Sequence, residues 1–154
     1  MENFSALFRT QVPVVPATCK IGLRTPVFCA GSCFSDHIGQ RLAASKFTVI
    51  SNPFGVIFNP LSLAGLLQAA LQNQPLAADR YVQSQGIWYH YDLHSSVADP
   101  ELPVLKARVG SILKEAGNFL KQAGYLVCTL GTAYVYELAA DSQLVANCHK
   151  MPGG

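Results

Sequence analysis

Short apolar runs alternate with longer stretches of helical period along this chain, the pattern of strands and helices that feed a parallel sheet. The first 25 residues are extended and punctuated by proline. Val27–Ala30 then predicts a strand ended by Gly31, and a helix follows from about Asp36 to Ser45, opening at Ser35 or Asp36. Phe47–Ile50 predicts a second short strand, stopped by Ser51-Asn52-Pro53. Pro60 suits the first turn of a helix running through Leu61–Leu71, with Asn59 before it as the cap. Gln85–Asp92 alternates around Trp88 and Tyr89 and predicts a strand or hairpin arm.

The second half repeats the alternation. Asp99-Pro100-Glu101 supplies a cap and an acidic first turn for a long helix, Leu102–Ala123. Its apolar positions, among them Leu105, Val109, Ile112, Leu113 and Ala116, keep a helical period, and Gly124 closes it. Tyr125–Leu130 is an apolar strand of the buried type. Ala133–Leu138 and Gln143–Asn147 form an antiparallel hairpin across Ala139–Ser142. The expected class is α/β with a mainly parallel sheet. There is no internal repeat.

Composition sharpens this in three ways. A chain of 154 residues can bury one sizeable core. Half its residues are hydrophobic and 13% are charged, which excludes a disordered chain and suggests apolar surface that more protein covers. The net charge of +2 has no Lys/Arg stripe behind it, so nucleic acid is not an expected partner. Residues 1–16 lack the apolar core of a secretory signal, and no run has the length of a membrane span. Five cysteines, an odd number, fit reduced thiols and a cytoplasmic location. Cys29 and Cys128 fall in apolar strands and read as small buried hydrophobes.

Candidate chemistry concentrates in Phe28-Cys-Ala-Gly-Ser-Cys-Phe-Ser-Asp-His-Ile38. Two nucleophiles, Ser32 and Cys33, follow Gly31 where a strand turns into a helix. Such a turn exposes its residue and aims free N–H groups and the positive end of the helix dipole at a ligand. A thiol placed there gains nucleophilicity, or a hydroxyl gains an oxyanion site.

Several segments together resemble one family. Gly31-Ser32-Cys33-Phe34-Ser35 is similar to the Gly-Ser-Cys-Phe-Ala signature of the GSCFA family, with Ser35 where alanine is usual. Asn52-Pro-Phe-Gly-Val-Ile-Phe-Asn-Pro60, Leu130-Gly-Thr-Ala-Tyr-Val-Tyr136 and Val145-Ala-Asn-Cys-His-Lys-Met-Pro152 resemble its later blocks, in order. The resemblance implies a three-layer sandwich of the SGNH/GDSL-hydrolase type, whose members include esterases, lipases and acyltransferases. Proteins of the family run longer than this chain, which therefore reads as the N-terminal half of the domain, an incomplete sandwich. Surface left open in that way predicts self-association.

The same resemblance nominates site residues. Laid over the superfamily's Gly-Asp-Ser block, Gly31-Ser32-Cys33 puts Cys33 in the nucleophile's place, and a one-residue slip nominates Ser32; the plainer alternative is that Ser32 caps the helix and Cys33 packs inertly. Gly55 matches the glycine whose N–H joins the oxyanion hole. The third block's asparagine is missing, leaving Thr132, or Asn147 from the neighbouring strand, to donate. Gly31, Asn52 and His149 are candidate substrate contacts. The superfamily's Asp-x-x-His base has no match here; the four histidines are His37, His90, His94 and His149. His90 and His94 share a strand face by even spacing and line a cleft or a solvated surface. Cys33, Cys148 and His149 are the rival metal ligands, but adjacent Cys148 and His149 on a strand face opposite sides. No metal or cofactor is expected. The expected function is hydrolysis of a small-molecule or glycan ester, with acyl transfer or ligand binding without catalysis as alternatives.

Overall fold

The structure, a computed structural model, describes residues 12–146. Asn147, Cys148 and His149 therefore lie outside the described residues. The chain is α/β, and its main sheet has three strands: β1 (Val27–Gly31), β2 (Val49–Ser51) and β5 (Tyr125–Thr129). They run parallel in the order β2-β1-β5, with Val27 in register with both Val49 and Tyr125. Every residue of β1 is buried.

Alternation along β1 decides what each face meets. Phe28 and Ala30 enter the main core with Leu105, Val109, Leu113 and Ala116 of helix α3 (Leu102–Leu120). The rings of Phe28 and Phe119 lie 6.3 Å apart and tilted. Burying a side chain such as Phe28 is worth about 1.5–3 kcal/mol. Leu63, Leu66 and Ala70 of helix α2 (Pro60–Gln72) join the same cluster. The two helices cross so closely that a Cβ at Gly117 would fall 2.0 Å from the Ala70 carbonyl oxygen. On the other face, Cys29 pairs with Ser51 in register, and Gly39 of helix α1 (Cys33–Ala44) sits directly over Ser51.

A hairpin of β3 (Tyr81–Ser84) and β4 (Ile87–His90) follows a 3-10 turn at Ala78–Arg80. Trp88 exchanges backbone hydrogen bonds with Asp99 (2.8 and 3.1 Å), which ties the hairpin to the start of α3. A second hairpin joins β6 (Tyr136–Glu137) to β7 (Leu144–Val145), as the sequence predicts, though with shorter arms.

Several expectations need correction. α1 begins at Cys33 rather than Ser35 or Asp36, because Ser32 adopts extended backbone and caps it. α3 ends at Leu120, and Gly124 instead donates its N–H to the Pro26 carbonyl (2.9 Å). The strand at Tyr81–Ser84 is absent from the sequence reading. β5 is an edge strand whose Leu126 and Cys128 are exposed, so Cys128 is not a buried hydrophobe. Cys29 is buried as expected. His90 and His94 do not share a strand face: His90 closes β4 and is buried, whereas His94 lies in the turn beyond it. Among the described residues no helix is long and apolar enough to cross a membrane.

Candidate active site

Strand order reverses at β1. The chain leaves β1 through α1 to reach β2 on one side, and returns through α3 to β5 on the other. In open α/β sheets ligands bind outside the carboxyl ends of the strands at such a reversal. Gly31 and Thr129 are the last residues of β1 and β5 and are partners in register. The Gly31-Ser32-Cys33 turn therefore lies at the switch point.

Gly31 is required there twice over. Its φ of +125° is a conformation that side chains rarely adopt, and a Cβ would meet the Thr129 carbonyl oxygen at 2.0 Å. That same carbonyl accepts the Ser32 N–H at 2.7 Å. Asn52, at φ +40°, clamps the turn from the other side. Its Oδ1 accepts the Gly31 N–H (2.8 Å) and its Nδ2 donates to the Ser32 carbonyl (3.4 Å). Both ends of the Asn52 amide are thus engaged by the turn, which makes it a positioning residue.

A chain of hydroxyls runs beneath the turn. Ser35 is fully buried and donates to the Ala30 carbonyl at 2.8 Å. Its single proton is committed, so the 2.7 Å contact with Thr129 must have Thr129 Oγ1 as donor. Thr129 in turn can only accept from Ser32 across 2.8 Å, and it accepts the Ser35 N–H as well, at 3.2 Å. The polarity is fixed: Ser32 to Thr129 to Ser35 to the Ala30 carbonyl. Ser32 Oγ also accepts the Phe34 N–H at 3.3 Å as the cap of α1. The hydroxyl of Ser32 is therefore buried, and both its proton and a lone pair are taken.

Cys33 is placed differently. It is the first helical residue and is exposed. Its own N–H makes no hydrogen bond within the described residues, leaving a donor beside the sulfur. His37 lies one turn further along α1 and is exposed too, and residues four apart share a helix face.

The other candidates fall around this centre. Gly55 has φ +76° and donates its N–H to the Asn52 carbonyl at 2.8 Å, within the turn that Asn52 anchors. His94 and Ser96 pack on Gly55, and the Ser96 N–H donates to His94 Nδ1 at 3.1 Å. Thr132 lies past the end of β5, where its hydroxyl accepts the Tyr134 N–H at 3.0 Å. Asn59 caps α2 as expected, accepting the Ser62 N–H at 2.8 Å. Asn147 and His149 are outside the described residues. The sequence reading missed Thr129. The available signal was its place, a hydroxyl at the end of an apolar strand bordering the switch point.

His90 is a structural residue rather than a cleft-lining one. Its Nε2–H donates to the Ala77 carbonyl (3.2 Å), Nδ1 accepts the Asp92 N–H (3.1 Å), and Tyr81 packs edge-on at 4.5 Å. Burial pushes its pKa below the ordinary value, against the opposing pull of the Asp92 carboxylate. Asp92 is held by buried Arg80 at 2.6 Å. Arg80 also donates to Gln143 and to the Leu144 carbonyl, tying the second hairpin to the first. Among the other thiols, burial and then Cys128 push Cys29 up, and partial burial pushes Cys128 up.

The chain is thus an α/β protein whose strand-to-helix turn, at the switch point of a parallel sheet, presents an exposed thiol and an N–H without a partner among the described residues. The chain belongs to the GSCFA family, whose model matches residues 26–154. No curated protein and no solved structure matches.

Proposed function

We propose that this chain carries acyl-transfer chemistry of the hydrolase type, with Cys33 attacking an ester and water releasing the acyl group. The observation that carries the reading is the contrast within the turn: Ser32 is buried, with its hydroxyl tied to Thr129 and capping α1, and Cys33 is exposed at the helix start. The Cys33 thiol gives its proton to water, the thiolate bonds to the carbonyl carbon as the C–O bond to the alcohol breaks, the alkoxide takes a proton from water, and water then cleaves the thioester to the acid and the restored thiol. The Cys33 N–H stands ready for the developing oxyanion, as donors at a helix start do. The Gly55 N–H is committed to Asn52, so it supports that role less directly than the resemblance implies. A three-layer sandwich is the architecture this reading assumes, supported by α1 and α3 meeting opposite faces of β1. The four cysteines among the described residues are free thiols, in keeping with a reducing, cytoplasmic setting.

The test is hydrolysis of p-nitrophenyl acetate by the chain and by its Cys33→Ala and Ser32→Ala forms. Loss of turnover in Cys33→Ala, with a mass adduct at Cys33 in the parent, is the expected result. Turnover unchanged in Cys33→Ala overturns the assignment. A second reading, ligand binding without catalysis, draws on the engagement of Gly55 and Asn52 by the protein's own backbone. It predicts no adduct and no turnover.

A further inference from the structure

Both walls of one cavity grow out of the segments that hold the Gly31–Ser32 turn. On one side, Ile57 donates its N–H to the Gly31 carbonyl at 2.8 Å, and the next residue, Phe58, forms a wall. On the other, Thr129 holds Ser32, and the chain runs on to Gly131 and Thr132, which form the opposite wall. The Gly131 N–H donates to the Phe58 carbonyl at 3.0 Å and joins the two sides. Tyr134, Val135 and Tyr136 complete an enclosure of about 410 Å³, within the range of sites for small organic molecules.

The chemistry of the lining narrows the occupant. Among the described residues no charged side chain lines it, so these residues give an anion no counter-charge. Asn59 reaches the wall, but its Oδ1 accepts from Ser62 and its Nδ2 donates to the Ala146 carbonyl. The Thr132 hydroxyl already accepts the Tyr134 N–H. What remains is mostly apolar, the Phe58 ring, the Val135 side chain and the tyrosine rings, with the Tyr134 phenol hydroxyl and the Thr132 O–H as scattered polar groups. A sugar, whose hydroxyls need an array of partners once water is removed, is poorly served by such a wall. Tyr134 stands 80% exposed at the rim, a large aromatic on a connecting segment beside a cavity.

We propose that this cavity receives an uncharged, apolar acyl group, with the ester carbonyl left at Cys33 outside it. The proposal rests on the acyl-transfer reading above and specifies the substrate class of that site. Apolar pockets discriminate by burying added methylenes, about 10-fold or more in kcat/KM for the best-fitted ones.

Two measurements on the full chain separate the proposal from the reading beneath it. The first is amide chemical-shift mapping with hexanamide and acetamide, uncharged amides that stand in for a longer and a shorter acyl group. Hexanamide is expected to shift Gly131, Thr132, Tyr134 and Val135, and acetamide to leave them in place. The second compares p-nitrophenyl hexanoate with the acetate, and a preference for hexanoate of about 10-fold or more is expected. Tyr134→Ala, a change at an exposed rim position, should weaken both effects severalfold, and Val135→Trp should abolish them by filling the space. Hexanamide binding here with neither ester hydrolysed keeps the apolar site and rejects the acyl chemistry. Hydrolysis without chain-length preference, or hexanamide shifts elsewhere or nowhere, overturns the cavity as the acyl site.

Discussion

Ser32 and Thr129, ninety-seven positions apart, hold their hydroxyl oxygens 2.8 Å from each other at the ends of two neighbouring strands. The contact joins the start of the chain's α/β unit to its last parallel strand. It also supports the proposal of Cys33 over Ser32, because the Ser32 proton points down into Thr129 and its oxygen caps a helix.

Replacing Thr129 by Val keeps the shape and removes the hydroxyl. Ser32 loses its acceptor, and buried Ser35 loses the donor at its oxygen. Leaving buried polar groups unpaired costs about 1–3 kcal/mol, so urea unfolding should show a loss in that range. Ser35→Ala removes only the end of the chain of hydroxyls and should cost about 1 kcal/mol. Equal stability of Thr129→Val and parent would show that the network contributes nothing.

Gly31→Ala should be far worse, since the methyl would meet the Thr129 carbonyl at 2.0 Å in addition to a φ of +125°. The dihedral alone accounts for about 1–3 kcal/mol, and the clash pushes β1 and β5 apart. Gly110→Ala makes the opposite case. It lies within α3 with open space where the methyl would go, so it should stabilise by about 0.5–1 kcal/mol. Thermal melts of the two variants check both signs.

How much of this was legible in the sequence depends on the range of the interactions involved. β1, α2 with Pro60 in its first turn and Asn59 as its cap, and the body of α3 follow from local pattern and form where expected. The cap and acidic first turn expected of Asp99-Pro100-Glu101 do not form: Glu101 is the N-cap without a side-chain hydrogen bond, and the Asp99 carboxylate accepts the Glu101 N–H instead. α1 starts at Cys33, two to three residues before the Ser35 or Asp36 that the pattern suggests, because Ser32 is its cap. β3 is not legible locally because its Gln83 and Ser84 are polar, and the turn into β4 uses Gln85 and Gly86, both at positive φ, rather than an Asn-Gly pair. The exposure of Cys128 is not legible in its segment, because an apolar run does not tell whether a covering layer lies over it, and β5 is an edge. Glycine, serine and cysteine at the turn announced a candidate site. Thr129 and Asn52 complete it only through long-range hydrogen bonds, which no local pattern encodes.

Alkylation should rank the thiols. Cys29 is buried, with its pKa raised by that burial and by Cys128, and it should stay unmodified by iodoacetamide in the folded chain. Cys128 is exposed, but its pKa is raised as well, so near neutral pH its thiolate is scarce and its labelling slow. Cys33 should label ahead of both, with the adduct mapped by peptide mass. Cys128 labelling faster than Cys33 would remove the support that reactivity gives to the nucleophile assignment.

Stability should fall as the medium turns acidic, and His90 supplies part of the reason. In the fold it is neutral, donating from Nε2 to Ala77 and accepting at Nδ1 from the Asp92 N–H. Burial holds its pKa below the ordinary 6.5, although Asp92 pulls the other way. The unfolded chain therefore binds more protons than the folded one once pH drops below about 6.5, and each such proton favours unfolding. The contribution is fully present above that pH and is lost progressively below it, until folded His90 protonates as well. One group can add at most about 1.4 kcal/mol per pH unit to the slope. His90→Gln retains an amide able to reach the Ala77 carbonyl but cannot titrate. It should lower stability at pH 8 while flattening the dependence between pH 6.5 and 5. Urea denaturation of both forms across that interval reads the two slopes, and parallel curves would mean that His90 is not the group responsible.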